Sequence, residues 1–158
     1  MGRRTTSTSY ITPVKSDGVV QTESATEFGR GAYTLALSTT YYYPLAGQDA
    51  LALHAHLQWD AAIVLTSVTV EECDMPESEV TDHEAGTTGT WLPTSVDRIT
   101  STVEGAGATN TSDVIAVSGG AAGGGAMNVS EHGARRTRLK VVVGGTGGEL
   151  RVASWAKE

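Results

Sequence analysis

The chain has 158 residues, of which 39% are apolar and 18% charged. That is the length of one domain and excludes both a charge-rich disordered chain and a membrane-embedded protein. The net charge of -7 is unevenly spread, with 5 Lys/Arg against 16 Asp/Glu in residues 1–134 and 6 against 2 in residues 135–158. An acidic total argues against direct nucleic-acid binding, which needs a broad positive surface, although the basic end could dock on something acidic. No apolar run reaches transmembrane length, so no membrane is expected, and the lone Cys73 requires no oxidising compartment.

Thr, Ser, Val, Ala and Gly dominate and favour pleated strands over helices. Residues 1–31 are polar, with a short candidate strand at Tyr10–Val14, and read as an extended N-terminal arm before a domain at 32–158. AYTLALS then alternates Tyr33, Leu35 and Leu37 against Ala32, Thr34 and Ala36. Tyr41, Tyr42 and Tyr43 follow; because strand residues alternate faces, one or two of them should point outward, as tyrosines at interfaces do.

LALHAHLQW places Leu51, Leu53, Ala55, Leu57 and Trp59 on one side and His54, His56 and Gln58 on the other. After a turn at Asp60, the β-branched run AAIVLTSVTVEEC is expected to pair with it as a hairpin. Residues 71–84 carry seven acids and no Lys or Arg, the pattern of a solvated loop. Trp91 and Leu92 form a short apolar anchor, a strand is expected around Val114–Val117, and GGAAGGG is expected to turn. RTRLKVVV and ELRVASWA, joined by GGTGG, read as a closing hairpin. Short strands with Gly, Pro, Asp and Asn punctuation predict an all-β domain: a single antiparallel β-sandwich, jelly-roll-like.

His54, His56 and Asp60 could serve a metal if further ligands converged from neighbouring strands. With Gly47 they resemble part of a cupin motif, a glycine followed by an HxH pair and an acid. Here the glycine spacing is one residue long, Asp replaces Glu, and neither His83 nor His132 supplies a second motif. An ordinary strand with two outward histidines explains the same residues, so neither metal nor cofactor is assigned. The acidic stretch lacks the ligand spacing of an EF-hand, no GxSxG elbow is present, and GAGATNTS and GGAAGGG fit no phosphate-binding formula. No catalytic set is found and no enzyme is expected. Arg135, Arg136, Arg138 and Lys140 lack an accompanying RNP-type aromatic pattern; an acidic partner surface or the chain's own acids would satisfy them.

Three stretches, LQWDAAIVLTSVTVEECDMPE, TWLP and EHGARRTRLKVVVGGTGGELRVASWAKE, resemble small virion proteins of tailed bacteriophages, over about residues 50–158. The resemblance implies a structural protein of the virion, assembled in the host cytoplasm: a capsid decoration or cement protein that bridges major capsid subunits. Its partners would be the major capsid protein or another virion protein, and further copies of itself in a homo-oligomer. A receptor- or glycan-binding module on a tail or fibre is the alternative. Candidate contact residues are Arg3, Arg4, Tyr10, Tyr41, Tyr42, Tyr43, His54, His56, Arg136 and Arg138.

Overall fold

Alternating apolar and polar residues become strands throughout the computed structural model, which describes residues 8–23, 28–45, 51–75, 90–130 and 136–157. The strands are β1 (Ser9–Tyr10), β2 (Val14–Lys15), β3 (Ala32–Leu35), β4 (Thr40–Leu45), β5 (Ala52–Trp59), β6 (Leu65–Cys73), β7 (Leu92–Pro93), β8 (Ile99–Glu104), β9 (Ala108–Asn110), β10 (Ile115–Val117), β11 (Gly123–Val129), β12 (Arg136–Val143) and β13 (Gly148–Lys157). A 3-10 turn at Val96–Arg98 precedes β8.

They form two antiparallel sheets. Sheet I runs β1-β13-β5-β11-β8, with β3 also on β13; sheet II runs β2-β4-β12-β6-β10-β9, with β7 on β6. The inner faces share one apolar cluster, to which sheet I gives Leu53, Leu57, Trp59, Met127 and Val152 and sheet II gives Tyr41, Tyr43, Val68, Val70, Leu139 and Val141. The architecture is all-β and β-sandwich-like. Each large apolar side chain taken fully out of water contributes about 1.5–3 kcal/mol, so this shared layer is what holds the sheets together.

Both expected hairpins are absent. β5 and β6 lie in different sheets, as do β12 and β13. Alternation decides which residues face inward but not which strand a neighbour pairs with, and these two connections cross the core between sheets. They run side by side: Val64 N–H donates to the Thr146 carbonyl at 3.0 Å and Gly144 N–H to the Val64 carbonyl at 2.8 Å. Asp60 anchors the crossing, its Oδ1 accepting from the N–H groups of Ala62 (3.1 Å) and Ile63 (3.0 Å) and its Oδ2 from that of Glu149 (2.9 Å).

Strand β6 changes phase along its length. Its register against β12 shifts between Val142, opposite Ser67, and Val143, opposite Leu65, so Leu65 points inward and, after the bulge, so do Val68 and Val70. A strict alternation of Val64, Thr66, Val68 and Val70 on one face, which the run AAIVLTSVTVEEC would suggest, therefore breaks at Thr66. Glu71 and Glu72, expected in a solvated loop, belong to the end of β6, while residues 76–89 lie outside the described part. Leu37 and Leu51, expected on apolar faces, are exposed just outside β3 and β5, and Leu92 is exposed as well.

The described part of the segment read as an arm is bonded into both sheets. β1 pairs with β13, β2 pairs with β4, and between them Ile11 joins the core and its N–H donates to the Val152 carbonyl at 2.9 Å. The GGAAGGG run divides: Gly119 and Gly120, with φ of 85° and 90°, make the turn, whereas Gly123, Gly124 and Gly125 open β11. The strand needs glycine because the Trp59 indole lies beneath it. A Cβ on Gly123 would stand 3.0 Å from Trp59 Nε1 and overlap the Glu104 carbonyl oxygen, and one on Gly125 would stand 3.1 Å from Ile115 Cδ1.

Candidate functional site

One face of each sheet is spent on the core, so recognition chemistry falls to the outer faces and edges. On the outer face of sheet I, parity and register align three rows across the strands: Trp155, His54, Asn128 and Thr100; then Ala153, His56, Ala126 and Thr102; then Arg151, Gln58, Gly124 and Glu104. Polar alternation in β5 thus does put both histidines on the outer face.

Their surroundings differ. The His54 ring stacks on Trp155, with centroids 4.9 Å apart and planes at 24°, and its Nδ1 hydrogen-bonds Asn128 Oδ1. His56 is exposed and borders a groove of about 570 Å³ over β11. At the far end of the face, Arg151 donates through Nε to Gln58 Oε1 at 2.8 Å, again to that oxygen through Nη2, and through Nη1 to the Phe28 carbonyl at 3.0 Å. The same guanidinium lies 5.2 Å from the ring centre of Tyr10, an exposed residue of edge strand β1.

Asp60 does not join the histidines. Both carboxylate oxygens are occupied by backbone N–H groups at the crossing between sheets, and Asp60 lies roughly 13 Å along the chain from His56 by strand rise. Among the described residues no three His, Cys, Asp or Glu side chains are grouped as a metal would require. Gly47, His83 and His132 lie outside the described residues, as do Arg3, Arg4 and Arg135.

Part of the outer face of sheet II is covered by its own side chains. Tyr42 points outward, as alternation allows, yet the Arg138 guanidinium covers its ring at 3.7 Å and also lies over the Trp91 ring at 4.0 Å. Arg138 Nη2 lies 2.7 Å from Glu71 Oε2, and Lys140 Nζ reaches Glu71 Oε1 at 3.8 Å. Two residues of the basic strand, Arg138 and Lys140, are therefore partnered by the chain's own Glu71. On the opposite parity of β6 from Glu71, Glu72 makes a two-pronged pair, at 3.1 and 2.8 Å, with Arg98 from the turn that precedes β8 of sheet I. Arg138 is 2% exposed, and Tyr41, Tyr42 and Tyr43 are all buried.

Four of the expected contact residues are thereby corrected: Tyr41 and Tyr43 belong to the core, and Tyr42 and Arg138 to a covered stack. Arg136 is half-buried opposite Cys73. Burial raises the phenol pKa of Tyr42, with the Arg138 charge pulling it back and that of Glu71 raising it. Tyr43 is raised well above the usual value, first by burial and then by Tyr41 and Tyr33.

What the sequence reading did not single out is Trp155, Arg151 and Glu104. A signal was available for the first two: in ELRVASWAKE, Trp155 shares parity with Arg151 and not with the core residues Leu150 and Val152, which marks an outward tryptophan. The chain matches no protein-family model, and comparison with curated proteins and with solved structures likewise gave no match.

Proposed function

We propose that this chain is a non-enzymatic structural protein of a tailed-phage virion, a decoration or cement protein that stabilises the head by bridging major capsid subunits. Its finer architecture in this proposal is a jelly-roll-like sandwich with an extended arm. The observation that supports the reading best is the outer face of sheet I. There Trp155 is held against His54, His54 is held by Asn128, and exposed Tyr10 lies beside a fixed Arg151, all on or beside long, doubly paired strands. Aromatic and arginine side chains prepositioned on a rigid surface lose little entropy on docking and are the residue types that carry protein interfaces.

The contact set of the proposal is accordingly Tyr10, His54, His56 and Trp155, with Arg3 and Arg4 retained from the sequence. Deleting residues 1–31 would not test the contact set alone, since it would also remove Ile11 from the core and an edge strand from each sheet. The experiment is quantitative mass spectrometry of purified particles of the phage that carries this gene. The chain is expected in a fixed ratio to the major capsid protein, and Trp155→Ala is expected to lower its occupancy at least tenfold while keeping cooperative unfolding. Absence from purified particles, or unchanged occupancy of the variant, would overturn the proposal.

A further inference from the structure

The groove beside His56 is framed by side chains, not merely by a gap in the surface. Gln58 and Glu104 flank Gly124 in one row, and His56 and Thr102 flank Ala126 in the next, all four projecting from the outer face of sheet I. Two strand spacings separate the members of each row and two residue steps separate the rows, so the four Cα positions mark a frame of roughly 10 by 7 Å. Its floor is the backbone of β11, only half-covered because Gly124 and Ala126 carry almost no side chain.

The corners differ in hydrogen-bonding character. Gln58 is oriented, because its Oε1 receives two bonds from Arg151, which is itself tied to the Phe28 carbonyl; the amide NH₂ is therefore the donor at that corner. Glu104 supplies acceptors when ionised, the Thr102 hydroxyl both donates and accepts, and the His56 imidazole does the same in its neutral form. Of the four, Glu104 is the acidic side chain and disfavours anions, and the nearby guanidinium of Arg151 is already engaged.

We propose that this groove is a binding site for one uncharged hexose ring, seated with its C–H face on Gly124 and Ala126 and its hydroxyls on Gln58, Glu104, His56 and Thr102. A ring of alternating hydroxyls asks for donors and acceptors interleaved around a small flat floor, and this frame provides that arrangement. The site does not depend on the virion reading; it could serve a free sugar or a glycan on a cell surface.

The test titrates isotopically labelled full-length protein with the methyl glycosides of glucose, galactose, mannose and N-acetylglucosamine, and separately with N-acetylneuraminic acid, following backbone amide resonances. At least one neutral glycoside is expected to shift the resonances of residues 56, 58, 102, 104 and 124 saturably. Ala126→Leu, which fills the floor, is expected to abolish those shifts, and Gln58→Ala to weaken binding about tenfold, the loss of a bond and of an oriented donor. Both positions are on the solvent side of the sheet, and a wild-type-like spectrum elsewhere confirms that each variant is folded. The proposal is overturned if no neutral glycoside shifts these residues, if only the anionic sugar does, or if binding survives Ala126→Leu.

Discussion

Two tyrosines separated by one residue show how little of a side chain's contribution is set by its type. Tyr41 and Tyr43 both enter the core, but the Tyr41 hydroxyl accepts the Ala36 N–H at 2.8 Å, whereas the Tyr43 hydroxyl has no hydrogen-bond partner among the described residues. Replacing Tyr43 by Phe removes an unsatisfied buried group and is expected to stabilise the fold by about 1 kcal/mol, while Tyr41→Phe orphans a backbone donor and is expected to cost about 1–2 kcal/mol. Urea unfolding of the two variants checks this, and equal losses from both would refute it. Tyr42, between them, illustrates what sequence could not supply. Alternation required that one or two of the three tyrosines point outward without saying which, and the burial of Tyr42 depends on Arg138 and on Trp91, which lie 96 and 49 positions away in the chain.

Among the elements, β11 depends most on particular residues. Its first three residues are glycines held between β5 and β8, with the Trp59 indole beneath Gly123 and Gly125. Gly123→Ala is expected to destabilise by about 2 kcal/mol or more, because a methyl group there is forced against backbone on one side and indole on the other. The midpoint of thermal unfolding reads this out, and Gly145→Ala, where the same methyl meets open space, is the matched control.

Strand identity and facing were legible in β5 and in the apolar half of β12, because one face of each is buried and the period of two is unbroken. Pairing was not legible. Nothing in LALHAHLQW states that its neighbours are β11 and β13, and the turn at Asp60 looks the same whether the chain folds back in one sheet or crosses to the other. The bulge in β6 was hidden for a related reason: Val64, Thr66, Val68 and Val70 suit a strand equally well in either phase. The candidate face was half legible. The outward histidines followed from parity, whereas the groove needs residues of β8 and β11 that no local pattern links to β5.

For the molecule as a whole, the buried phenols tie stability to alkaline pH. Tyr42 and Tyr43 hold their protons above the ordinary value of about 10, so in that range the unfolded chain binds fewer protons than the folded one. Their contribution is complete below pH 10 and is lost as pH rises above it. Chemical denaturation from pH 8 to 11 is expected to show a plateau and then a fall, shallower in Tyr43→Phe; a fall of the same steepness in the variant would count against the assignment.

The position of β13 also constrains how the protein is made. That strand is the shared partner of β1, β3 and β5, three segments that leave the ribosome long before it does. Until Gly148–Lys157 has emerged, β1 and β3 have no edge to join, β5 lacks one of its two neighbours, and Ile11 has no Val152 carbonyl to meet. Sheet I can therefore be completed only after its last strand is translated, whereas the β5-β11-β8 pairings and those of sheet II have all their strands earlier.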